Sequence, residues 1–124
     1  MKAAEKHFKK ADEALKSDRI KIVQNGSASK EFKGYISAFG AAVVMSGLLP
    51  AMAFYVNPDS NAQEDRPKVI EALAFIMGKN SGLELLKHAI DLKANNKKQF
   101  DVLQTDVINA AIALKLMLRT YKLN

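Results

Sequence analysis

The 124-residue chain has no cysteine, two histidines and only three prolines. Without cysteine it can form neither a disulfide nor a thiolate metal site, which fits a chain expected to work in the cytoplasm. His88 has Glu84 four residues before it and Asp91 three after, yet a carboxylate-bridged metal bundle needs Glu-x-x-His pairs from two helices, and neither is present. The pair Gly78-Lys79 lacks a P-loop's other marks, because Leu73 stands where glycine is needed and Asn80 where serine or threonine is. Ser46-Gly47 lacks the preceding glycine of a nucleophile elbow, and no cluster of histidine, lysine and carboxylate suits a ribonuclease. The expectation is a non-enzyme without metal or cofactor. No alternating pattern bounded by hairpin turns marks a strand, and the charged N-terminus does not read as a signal peptide.

What the chain does have is one stretch without charge. Gly34 to Val56 holds twenty-three residues and no side chain charged at neutral pH. That length also suits a membrane span, so a single-span membrane protein is one alternative. Against it, Gly47 and Pro50 interrupt the stretch near its middle, and Gly34, Ser37, Gly40 and Ser46 dilute its hydrophobicity. The expected outcome is a core hairpin or kinked helix wrapped by its neighbours.

Those neighbours read as amphipathic helices. Ala4, Phe8, Ala11, Leu15 and Ile22 keep helical spacing over about Lys2 to Val23, with Asn25-Gly26 as a stop. Phe32, Tyr35, Ile36, Phe39 and Val43 predict a helix that Gly47 bends or ends, and a second piece reaches Val56. Asn57 to Asn61 reads as the longest loop. Asp65 and Pro67 open a helix that Gly78 closes, and Ser81 with Glu84 makes a capping box for the next, which carries Leu83, Leu86 and Ile90 as its apolar residues. Asn96 with Gln99 caps the last and longest, on which Phe100, Leu103, Val107, Ala111, Leu114, Leu118 and Tyr121 form one apolar stripe and Ile108, Ile112 and Leu116 a second. The chain therefore reads as all-α, a single domain over residues 1–124 with about six helices, the C-terminal one long and largely buried.

Charge is unevenly spread. Residues 1–34 carry nine basic and five acidic side chains, residues 35–66 one and three, and residues 67–124 nine and five. Both ends are basic, and a net charge of +6 suits a polyanionic partner if the ends fold together. Lys2, Lys6, Lys9 and Lys16 fall on one helical stripe, and Lys115, Arg119 and Lys122 on another. The ordinary reading of the first is a solvated face, and of the second cations favourably placed at a helix C-terminus. The functional reading is phosphate contact, sensitive to salt and indifferent to base sequence. A small DNA-binding helical regulator is the other alternative, although no helix presents exposed Arg, Asn or Gln suited to base edges.

The segment from Ser46 to Tyr55, SGLLPAMAFY, preceded by Tyr35 and Phe39, resembles a signature of the small α-helical subunit of the type III-B CRISPR effector, the Cmr complex. The closing run from Ala113 to Tyr121 is similar to that family's terminal helix, where a basic residue interrupts aliphatic ones. Ser46 stands where the family often has asparagine, and Met117 where it often has tryptophan. The resemblance implies a non-catalytic antiviral subunit that stacks along guide and target RNA, with copies of itself and other Cmr subunits as partners. It carries no catalytic residues. From the residues themselves, Lys9, Lys16, Lys30, Lys33, Lys115 and Arg119 are the candidates for phosphate contact.

Overall fold

A computed structural model describes residues 2–57 and 66–124. Along the described residues run α1 (Lys2–Glu5), α2 (Phe8–Lys16), β1 (Ser27–Ala28), α3 (Glu31–Ser46), α4 (Leu48–Val56), α5 (Arg66–Ile76), α6 (Gly82–Asn95), α7 (Lys97–Leu118) and β2 (Lys122–Leu123). The all-α expectation holds, with seven helices and one two-residue strand pair among the described residues. Beyond Asn57, the expected loop at 57–61 lies outside the described residues, as does Asp65.

The buried stripes of α3, α5 and α7 are those that helical spacing predicts, whereas on α6 the expected stripe of Leu83, Leu86 and Ile90 is displaced: Leu83 and Ile90 are about half exposed, and Leu85 and Ala89 are the buried residues. Ile36, Phe39 and Val43 from α3, Leu48 and Met52 from α4, Ile70 and Leu73 from α5, Leu85 from α6 and Leu114 and Leu118 from α7 close one apolar core. Such packing removes each large side chain from water and stabilises the fold by roughly 1.5–3 kcal/mol per residue before entropy is counted. Helix α7 touches α1, α2, α3, α5 and α6 and so acts as the spine of the bundle.

Caps fix the ends of the later helices. Ser81 Oγ accepts from the Glu84 amide at 3.1 Å, and the Glu84 carboxylate reaches back to the Asn80 amide at 3.1 Å. Asn96 Oδ1 accepts from the Gln99 amide at 3.2 Å and opens α7. Between α3 and α4, Gly47 sits at φ +99°, a region closed to side chains with a Cβ, and the chain turns there. The Tyr55 hydroxyl then donates to the Tyr35 carbonyl at 2.7 Å, while Phe39 and Tyr55 meet edge to face at 5.1 Å, holding α4 against α3.

The N-terminal segment differs from its expectation. One helix was expected to about Val23, but α1 breaks at His7 and α2 ends at Lys16, with Ser17 extended and Lys21 left-handed. The apolar residues that continued the helical spacing are spent on a folded-back turn instead. The Val23 amide donates to the Leu15 carbonyl at 2.8 Å, and Ile20, Ile22 and Val23 are buried. Asn25-Gly26 is no helix stop. Gln24 and Ser27 exchange both backbone hydrogen bonds, at 2.9 and 3.1 Å, and the two residues between them have positive φ, as a type I′ hairpin turn requires.

Candidate nucleic-acid interface

The strand pair decides where the C-terminus lies. β1 and β2 run parallel with Ser27 opposite Lys122 and Ala28 opposite Leu123, and the Lys30 amide donates to the Asn124 carbonyl at 3.0 Å. Nearby, the Tyr121 hydroxyl donates to Asp12 on α2, and Lys16 Nζ lies 3.0 Å from the same carboxylate. The C-terminal ends of α2 and α7 and the start of α3 therefore share one end of the bundle.

This end collects Lys16, Lys30 and Arg119 from the candidate set. Lys33 follows Lys30 by three residues in the first turn of α3, exposed to solvent. Lys9 lies two turns before Lys16 on α2, about 10 Å along the helix and on the same face. Lys115, one turn before Arg119, is placed differently: it is half-buried and lines an apolar groove between α3 and α7. Lys122 belongs to β2 rather than to the last helix, so the expected helical stripe of Lys115, Arg119 and Lys122 does not form.

Pairing separates these cations. Among the described residues the ion pairs are Lys6 with Asp106, Lys16 with Asp12 and Arg19 with Glu71. Lys9, Lys30, Lys33, Lys115 and Arg119 have no carboxylate within 4.0 Å among the described residues. Lys16 is partly neutralised. Asp12 is held below the usual carboxylate range chiefly by the hydrogen bond from Tyr121, with Lys16 adding to the effect, and the Lys16 ammonium is raised in turn by that carboxylate. The same hydrogen bond raises the Tyr121 phenol.

Beside this triad lies a polar cleft of about 410 Å³, lined by Lys16, Asp18, Lys21, Gln24, Asn25 and Tyr121 among others. Lys21 was not among the sequence candidates because its segment read as helix, which gave no sign that the chain would fold back there. His7, the other histidine of note, has a buried Nε2 without a hydrogen-bond partner, and burial followed by the nearby Lys6 lowers its pKa. No group of three or more His, Cys, Asp or Glu among the described residues is arranged to hold a metal ion. No helix of the described residues is long and apolar enough to cross a membrane, because the chargeless stretch is broken at Gly47.

The family model Cas_Cmr5, described as a CRISPR-associated protein, matches residues 4–120. The chain belongs to the Cmr5 family. The resemblance carried by the segment from Ser46 to Tyr55 is therefore sound, and the chain is a small subunit of the type III-B Cmr type. A crystal structure of a CRISPR-associated Cmr5 family protein from Thermus thermophilus is similar in fold, with a TM-score of 0.65 and 22% identity over 97% of this chain and 94% of that one. No curated protein sequence matches this chain. In this Cmr5-family chain the signature has a structural job. Gly47 makes the α3/α4 turn, and Leu48, Ala51, Met52 and Tyr55 are the buried side of α4.

Proposed function

We propose that this Cmr5-family chain is a non-catalytic subunit of a cytoplasmic type III-B ribonucleoprotein that acts in antiviral defence. It stands beside guide RNA and target RNA, contacts other Cmr subunits and copies of itself, and turns its basic end toward RNA phosphates. The observation that carries this reading is the pairing of the C-terminal segment with β1, which brings Lys30 and Arg119 to one end without carboxylate partners among the described residues. Lys9 and Lys33 extend that surface along α2 and α3, Lys16 joins it at reduced effective charge, and Lys115 marks its edge.

Such a surface recognises phosphate spacing and charge rather than base identity. The test is a reconstituted complex carrying Lys30→Glu with Arg119→Glu. Binding of unrelated RNA sequences should weaken alike, with subunit incorporation and the far-UV helical signal unchanged. A matched reversal at the opposite end of α7 from Arg119, Lys97→Glu with Lys98→Glu, should leave binding near wild type. Equal RNA binding by both double variants would contradict the proposal.

A further inference from the structure

Among the described residues, Lys21 at φ +60° and Asn25 at φ +56° are the non-glycine residues with positive φ, and both line the polar cleft beside the Asp12–Lys16–Tyr121 triad. Such conformations cost free energy and persist only where the surrounding structure holds them. At Asn25 the type I′ turn supplies the reason. At Lys21 the backbone is held from both sides: its amide donates to the Ser17 carbonyl at 2.7 Å, and its own carbonyl accepts from Gln24 Nε2 and Lys68 Nζ, each at 3.3 Å. The fold therefore spends bonds to keep a left-handed lysine at the edge of a cavity.

The cleft holds open charge of both signs. Lys21 has no carboxylate within 4.0 Å among the described residues, and Asp18, also in the lining, has no cation within that distance. Lys16 joins them with its ammonium shared with Asp12 at 3.0 Å. The Tyr121 hydroxyl is tied to the same Asp12, which fixes the ring, and Val23 adds an aliphatic surface. The cleft's volume of about 410 Å³ falls within the range of about 300–1,000 Å³ typical of small-molecule sites. An open cation, an open carboxylate and a fixed aromatic ring are the groups that a phosphate, a ribose and a base respectively engage. An inorganic anion would meet repulsion from Asp18, and a sugar alone would leave Lys21 unanswered.

We propose that this cleft binds one ribonucleoside monophosphate, free or as the phosphorylated 5′ end of an RNA. Lys21, seconded by Lys16, takes the phosphate, Asp18 accepts from the ribose hydroxyls, and the Tyr121 ring and Val23 lie against the base. A terminal phosphate carries about −1.5 to −2 charges where an interior one carries about −1, which suits a site with two ammonium groups. Neither Lys30 nor Arg119 lines the cleft, so the site is separate from the surface proposed to follow the RNA backbone and goes beyond it.

Titration of the full chain with AMP, followed by amide NMR, should give saturable shifts at Lys21, Asn25 and Tyr121. Adenosine and inorganic phosphate should each bind at least about tenfold more weakly. Lys21→Gly removes the ammonium while suiting the left-handed backbone, so it should melt no lower than wild type yet bind AMP at least about tenfold more weakly. Asp18→Ala should abolish the preference for AMP over 2′-deoxy-AMP. The source of the ligand is read by competition against AMP in the Lys30→Glu, Arg119→Glu background, which lacks the proposed backbone contacts. Competition by a 5′-phosphorylated linear RNA but not by its circular form identifies the RNA end, and competition by neither identifies the free nucleotide. Equal competition by both forms, no saturable shift with AMP at millimolar concentration, or wild-type AMP affinity in Lys21→Gly overturns the proposal. None of those three results bears on RNA binding through Lys30 and Arg119, which the reversal of that pair tests separately.

Discussion

Helices α3 and α5 make an instructive pair. α5 carries Arg66, Lys68 and Glu71 in eleven residues, yet six of the eleven are buried. α3 carries charge only in its first turn, at Glu31 and Lys33, yet only four of its sixteen residues are buried. The difference lies in neighbours: α5 is enclosed by α2, α3, α4, α6 and α7, whereas α3 has α4, α5 and α7 on its inner side. Absence of charge permits burial, and packing partners determine it. A helix whose chargeless run has too few partners keeps an apolar face toward solvent, which is where Val44 and Met45 sit.

Substitutions can push on this contrast from both sides. The largest effect is expected for Leu73→Asp at the fully buried face of α5, which places an unpaired charge in the core and should cost more than about 4 kcal/mol, enough to abolish the cooperative thermal transition. A variant that still melts cooperatively would mean α5 is less enclosed than its burial indicates. Next comes Gly82→Ala, because a Cβ there would stand 2.7 Å from Ile70 Cγ2 and 2.9 Å from the Glu71 carboxylate that accepts the Gly82 amide. Forcing α6 away from α5 should cost about 1–3 kcal/mol by urea denaturation, and a neutral result would show that the contact yields freely.

A smaller effect belongs to Asp12→Asn at the basic end, where one carboxylate joins α2 to the residue after α7. Its lowered pKa means the ionised form is favoured by folding, so the stabilisation is present above the ordinary aspartate range and disappears as pH falls through the lowered value. Wild type should exceed the variant by about 1 kcal/mol at neutral pH, and the two should converge below about pH 4. A gap constant with pH would assign the loss to something other than ionisation. The smallest effect is expected for Val44→Asp on α3, within about 0.5 kcal/mol for the single chain, since the side chain already faces water.

What the sequence made legible was local. The 3.6-residue stripes of α3 and α7, the Gly47 junction and the caps at Ser81 and Asn96 depend on residues within a turn or two of each other, and each stands where spacing placed it. The parts not legible depend on distant partners. β1 and β2 pair residues some 95 positions apart, too short to leave an alternating pattern, and so Lys122 read as helical. Ile22 extends the helical spacing of Leu15 by accident of a folded-back loop, which made α2 look longer than it is. Asn25-Gly26 is equally at home ending a helix or closing a type I′ turn, and only the Gln24–Ser27 bonds distinguish the two. For the candidate site, the basic ends were visible as composition; which cations lack acidic neighbours required the fold.

The cations gathered where the C-terminal strand meets β1 are the proposed contacts to RNA phosphates. The direct measurement is the dependence of RNA affinity on salt concentration for the assembled complex, wild type against Lys30→Glu with Arg119→Glu. Loss of two phosphate contacts should flatten the log–log slope by about 1.4–1.8, in addition to weakening binding at low salt. Identical slopes for the two complexes would contradict the account.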